Sequence, residues 1–161
     1  MANTKTNAMR LLEKNNISYQ EIDYDLGGEF ISAVDAGKKA HIDLDIMYKT
    51  IATISNKNNI VVFLLKAEDT IDMKKAAKAC GEKSISILPT KNLKSKLGYQ
   101  RGETTCLAMK KDYPVFIDKK ALDKDFFIIS AGKKGLSLKV NPKDLVKVVN
   151  AQFSDIVQWN W

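Results

Sequence analysis

Hydrophobic positions along this chain switch between helical spacing and strand-like runs, and the switches mark out a series of short elements. Met9, Leu11 and Leu12 give one apolar helix face, with Thr4 or Asn7 as the cap and Asn15-Asn16 as the end. Ile17 to Tyr24 is β-branched and aromatic, which predicts a strand. Ser32, followed by Asp35, forms a capping pair for a short helix to about Ala40. Ile46 to Ile54 and Ile60 to Leu65 read as adjacent strands across the Asn56–Asn59 turn. The second is apolar throughout, as a strand buried on both faces would be.

Asp72 predicts a cap for a helix over Met73–Cys80, and Gly81 its end. Ile85–Ile87 is a short strand. Thr90 is the expected cap of a basic helix carrying Lys91, Lys94 and Lys96, closed by Gly98. Thr104–Ala108 and Pro114–Ile117 read as extended, and Lys119–Leu122 as a turn or short helix. Phe126–Ile129 and Leu136–Val140 read as strands. Asn141-Pro142 opens a last helix expected to run through Val149. The tail from Gln152 to Trp161 reads as frayed or packed on its own chain. Strands and short helices interleave without regular strand–helix–strand spacing, which predicts an α+β fold with a mixed sheet. No repeat, linker or composition break divides residues 1–161, so a single domain is expected.

Composition narrows the class. With 45% apolar and 28% charged residues the balance is that of an ordinary soluble domain. No apolar run has the length of a membrane span, and the first residues lack the apolar core of a signal peptide, so a cytoplasmic location is expected. The net charge of +7 is uneven: residues 81–161 hold 15 Lys and Arg against 8 Asp and Glu, whereas residues 1–80 balance at 11 each. A basic half favours a polyanionic partner, although solvated lysines alone would give the same count.

Four places could carry chemistry. Ser130-Ala131-Gly132-Lys133-Lys134-Gly135-Leu136 sets two glycines around two lysines between two strands. Its peptide N–H groups could cradle an anion, or the segment could be a plain hairpin. Lys49 stands in an otherwise apolar strand; it must find an anion, lose its charge, or lie on a wet face. Tyr24 could present its hydroxyl to the same cleft or serve packing. Cys106, in Gly102-Glu103-Thr104-Thr105-Cys106, reads as a buried structural thiol, since the one histidine, His41, belongs to a helix end. No nucleophile–base–orienter set, zinc set or phosphate loop can be assembled.

Taken in order, these segments resemble the YbaK/EbsC family of free-standing aminoacyl-tRNA editing proteins, relatives of the editing insertion of bacterial prolyl-tRNA synthetase. The resemblance runs from about Asn7 to Ile156. It rests on Ala8-Met9-Arg10-Leu11-Leu12-Glu13-Lys14-Asn15, Tyr24, Met47-Tyr48-Lys49-Thr50, Asp72–Gly81, Gly98-Tyr99, Gly102 and Ser130–Leu136. It implies a mixed sheet or partly closed barrel surrounded by short helices. It also implies removal of mischarged cysteine from tRNA(Pro), with no cofactor and no metal. The partners implied are the acceptor end of an aminoacyl-tRNA and prolyl-tRNA synthetase.

Cysteine-specific members of such a family let the substrate thiol attack its own ester, so no protein base is needed. Carried over residue by residue, Lys49 and Tyr24 become pocket residues and Gly102 opens the loop that holds the aminoacyl end. Ser130, Gly132, Lys133, Lys134 and Gly135 line the entrance. Two departures bear on specificity. The family's Gly-x-x-x-Pro loop ends here in Cys106, and its aspartate after the second loop glycine is Ser137. A deacylase for Ala- or Ser-tRNA, or a non-catalytic tRNA- or synthetase-binding module, are the competing readings.

Overall fold

The computed structural model describes residues 5–23 and 33–159. The elements in chain order are α1 (Asn7–Lys14), β1 (Gln20–Asp23), α2 (Ala33–Lys39), a 3-10 turn at Leu44–Ile46, β2 (Tyr48–Ser55), β3 (Ile60–Lys66) and α3 (Met73–Cys80). There follow β4 (Ile85–Ile87), α4 (Thr90–Leu97), β5 (Val115–Asp118), a second 3-10 turn at Lys119–Asp123, β6 (Phe127–Lys133), β7 (Leu136–Val140), α5 (Pro142–Leu145) and β8 (Ala151–Ser154).

The expected α+β architecture with a mixed sheet is present, but the strands divide into two sheets. One is antiparallel, in the order β1-β7-β6; the other runs β4-β2-β3-β5-β8. In the larger sheet β2 is antiparallel to β3 and β4, while β3, β5 and β8 are mutually parallel. A single parallel bridge, Met47 to Ile128, joins the two sheets. Among the described residues the strands do not close into a barrel.

β3 is apolar at every position but its last because it serves two cores. Ile60, Val62 and Leu64 face the smaller sheet and meet Phe127, Ile129 and Leu138, with Met9 and Leu12 of α1. Val61, Phe63 and Leu65 face the other way, against Ile71, Ala76 of α3, Phe116 and Ile156. Burying each such side chain contributes about 1.5–3 kcal/mol. A third cluster holds Met47, Ala67 and Ile128 with Ile22 of β1, Val34 of α2 and Leu44. There α2 comes close to the bridge: a Cβ on Gly37 would stand 2.1 Å from the Met47 sulfur.

Local chemistry explains most boundaries. Asp72 accepts from the N–H groups of Lys74 and Lys75, and Gly81 ends α3 at φ 74°. Asn141 accepts from Lys143 N–H, with Pro142 in the first turn. Other expectations need correction. The cap of α1 is Thr6, neither Thr4 nor Asn7; Thr4 lies outside the described residues. Thr90 is the first residue of α4 and Pro89 its cap, with no capping side chain. Thr104–Ala108 is not extended: Ala108 sits at φ 54° in an irregular loop. α5 ends at Leu145, short of Val149, because the chain must turn into β8 beside β5. The tail is packed, since Ile71 bridges Val157 and Lys75 lies 4.9 Å from the Trp159 ring centre. Ser32 lies outside the described residues.

Candidate active site

Past the Met47–Ile128 bridge no further pairing joins the two sheets among the described residues. Residues 48–51 of β2 then have a ladder partner only on β3, because β4 pairs with Thr53–Ser55. β6 is likewise paired only with β7 beyond the bridge. Among the described residues neither strand edge has a further ladder partner there, and the gap between the two edges is the candidate site. Tyr48 and Phe127 meet edge-on below it, their ring centres 5.1 Å apart.

Strand alternation decides which face of its sheet each side chain takes. Lys49 falls on the face of β2 that carries Met47 and Ile51, at the seam between the second and third clusters. Ser130 falls on the Ile128 face of β6, and its cross-strand partner is Ser137, which in turn opposes Ile22 of β1. Lys49, Ser130 and Ser137 therefore belong to one side of the molecule.

Lys49 is half-buried. Its ammonium donates to the Asp69 carbonyl at 2.7 Å. Burial pushes its pKa down, and the Asp69 carboxylate pulls part of the way back. Among the described residues no hydrogen bond joins Lys49 to the Gly102 turn or to the β6–β7 hairpin.

The Gly102 turn, by contrast, is locked to β6. Ser130 donates its hydroxyl to the Glu103 carbonyl at 3.0 Å and accepts from Gly132 N–H at 3.1 Å. Gly132 has φ 91° within the irregularity that breaks the β6–β7 register between Ser130 and Lys133. A Cβ there would stand 3.0 Å from the Tyr99 ring. Tyr99 donates to the Leu107 carbonyl at 2.6 Å, and the Gly102 turn closes through Glu103 N–H to the Gln100 carbonyl at 3.0 Å. Proline is thus not needed to stiffen this loop. Cys106 points instead into the main core, where burial pushes its thiol up to about 12.

The Ser130–Leu136 segment, read from sequence as a short loop between two strands or a plain hairpin, is mostly strand. Its turn is Lys134-Gly135 alone, with Gly135 at φ 78°, and Lys133 and Lys134 are exposed at the tip. Tyr24 lies outside the described residues. His41 is exposed at φ 57° just after α2, as a helix terminus.

Two groups escaped the sequence reading. Asp69, buried in the loop after β3, pairs with Lys120 at 2.9 Å. Asp45 holds both Lys66, at 2.7 Å, and Lys124, which fixes the turn leading into β2 and holds its carboxyl at about 2. Each is a polar residue in an ordinary polar loop; only tertiary pairing distinguishes them.

Residues 30–148 match the aminoacyl-tRNA editing domain, and the chain belongs to that family. Over 152 residues it is 33% identical to EbsC of Enterococcus faecalis (strain ATCC 700802 / V583), a proposed Cys-tRNA(Pro)/Cys-tRNA(Cys) deacylase, covering 94% of this chain and 93% of that one. The fold is also that of a proposed trans-editing enzyme for prolyl tRNA synthetase, with a TM-score of 0.82, 16% identity and coverage of 98% and 100%. Hypothetical protein APE2540 matches with a TM-score of 0.85, 12% identity and coverage of 95% and 100%.

Proposed function

We propose that the chain is a trans-editing deacylase that clears mischarged cysteine from tRNA(Pro). The observation that carries this reading is its likeness along nearly the whole chain to EbsC, a proposed deacylase for cysteinyl-tRNA. Cysteine and proline are close in volume, so a synthetase pocket rejects one for the other weakly and a second site must clear the error.

The thiol that reacts belongs to the substrate. It attacks the ester carbonyl of its own aminoacyl group, a C–S bond forms, and the C–O bond to the terminal ribose breaks. The thiol proton passes to the leaving ribose oxygen, and the amino acid departs as a cyclic thiolactone. Water is not consumed and no oxidant is required. Two features support this route over a protein nucleophile. Cys106 is sealed in the core with its thiol pushed up to about 12, so it holds almost no thiolate near neutral pH. His41 is placed at a helix terminus, exposed.

The protein's part is then to hold and to stabilise. Lys49 brings one positive charge to the gap for the terminal phosphate or the polarised ester. The Gly102 turn and the Ser130 hydroxyl shape the aminoacyl end, and Lys133 and Lys134 meet phosphates at the entrance. Ser137, a neutral hydroxyl, accepts from an α-ammonium with less force than a carboxylate would. tRNA identity is supplied by prolyl-tRNA synthetase, because a domain of this size spans little beyond the acceptor end.

A panel of mischarged tRNAs tests the reading. Release of cysteine from Cys-tRNA(Pro), with thiolactone as first product, is expected. Cleavage confined to Ala- or Ser-tRNA would replace this substrate with a smaller one, and binding without turnover would replace the enzyme with a binding module.

A further inference from the structure

Asp69 uses three of its groups at once. Its N–H donates to the Lys66 carbonyl at 2.9 Å, closing the turn out of β3. Its carbonyl accepts the Lys49 ammonium at 2.7 Å. Its carboxylate, 9% exposed, is paired with Lys120 at 2.9 Å. Lys120 is itself placed by the buried Asp118, which accepts from the Lys120 N–H at 3.3 Å with one oxygen and from Ile156 N–H at 3.3 Å with the other. The ends of β3, β5 and β8 thus converge on one loop, and the loop holds the lysine of the gap.

A buried carboxylate without a cation would cost several kcal/mol. A lysine tethered by one carbonyl on an otherwise apolar strand has rotamer freedom to lose. Both problems are met by the same arrangement. We propose that Asp69 and Lys120 are positioning residues for Lys49: Lys120 fixes the Asp69 loop, and that loop holds the Lys49 ammonium at the mouth of the gap. The inference rests on the reading of Lys49 as a residue of the deacylation site.

The arrangement also sets how strongly Lys49 keeps its proton. Among the described residues, the Asp69 carboxylate is the charge that acts on it; Lys120 is paired to that carboxylate, and Lys66, one residue past its strand partner Leu65, is held by Asp45 and faces Glu68. Asp69 favours the ammonium, and Lys120 offsets that favour. The two substitutions that break the pair therefore act on Lys49 in opposite directions. Loss of shape alone would not do this.

The experiment is a pH titration of the Lys49 side chain by NMR on full-length protein with isotope-labelled lysine, the signal assigned with Lys49→Arg. Asp69→Asn, which keeps the carbonyl and removes the charge, is expected to lower the Lys49 midpoint. Lys120→Met, at a half-exposed side chain, is expected to raise it, and Lys120→Arg to restore it. Both Asp69→Asn and Lys120→Met are expected to lower kcat on Cys-tRNA(Pro) about fivefold or more, with KM within about twofold. Midpoints that stay fixed, or that move in the same direction, overturn the proposal. If Asp69→Asn does not fold, Lys120→Met and Lys120→Arg decide it alone. A Lys49→Ala protein of full activity would instead remove Lys49 from the reaction, whatever the titrations show.

Discussion

Ser130 and Glu103 are joined by one hydrogen bond of 3.0 Å, and that bond ties a strand of the smaller sheet to the Gly102 turn. It links two candidate site segments that lie far apart in sequence. Ser130→Ala removes this bond and the one its hydroxyl accepts from Gly132 N–H, and is expected to lower stability by about 1–3 kcal/mol, the usual net value of two such bonds. Its effect on kcat/KM for Cys-tRNA(Pro) is expected to exceed that, because the turn is released from the gap. Parallel thermal melts and single-turnover assays measure the two losses; equal losses would make the bond a structural one.

Lys49→Ala is expected to abolish most deacylation while the fold survives. The side chain is half-buried and its hydrogen bond goes to a loop carbonyl, so little packing is lost. Removing a charge aimed at a reacting ester costs about 10²–10³ in rate. Turnover within about twofold of the native protein, with an unchanged melting curve, would take Lys49 out of the site.

On the proposed mechanism, neither protein thiol is expected to be needed for turnover. Cys106→Ala and Cys80→Ser are expected to leave the rate on Cys-tRNA(Pro) within about twofold. Alanine suits Cys106, since serine would bury a hydroxyl among apolar side chains. A well-folded Cys106→Ala protein without activity would sink the substrate-thiol mechanism.

Binding of tRNA is expected to weaken with salt. Lys133 and Lys134, exposed at the β6–β7 turn, are changed together to alanine. Each lost phosphate contact makes the slope of log affinity against log salt shallower by about 0.7–0.9. Filter binding across a salt series reads both quantities. An unchanged slope and affinity would return the turn to an ordinary hairpin.

Asp45 gives a pH prediction. Lys124 and Lys66 hold its carboxyl at about 2, below its ordinary value. A lowered folded value means that the pairing stabilises above the unfolded pKa and is lost as pH falls from about 4 towards 2. The carboxylate is half-exposed, so solvent screens the effect. Asp45→Asn should flatten the acid side of the stability curve in that window and leave the region above pH ~5 nearly parallel to native. Chemical denaturation at stepped pH checks it.

What the sequence made legible was what is decided locally. Asp72 and Gly81 bracket α3 with a cap and a left-handed end, and both act within a few residues of themselves. β3 was legible because an apolar run without alternation has few other places to go. β8 was not legible, since Ala151–Ser154 has no apolar period and is a strand only because β5 offers it an edge. The Thr104–Ala108 loop misled because its conformation is imposed by Tyr99 and Ser130 from outside. In the site, Lys49 stood out as a charge in an apolar strand. Asp69 and Lys120 did not, because neither breaks a local pattern and their meaning comes from a pairing across 51 residues of chain.

The smaller sheet has a consequence for how the protein is made. Gln20 of the first strand pairs with Lys139 of β7, so that strand emerges from the ribosome long before its neighbour exists. The larger sheet can begin from β2 and β3, which join through a tight turn, whereas the wall that carries Ser130 and Ser137 waits for almost the whole chain. Pairings this distant are slow to form. The two walls of the gap are therefore made far apart in time: a nascent chain carries Lys49 on its strand well before the wall opposite it can form, and β8 is the only strand added later.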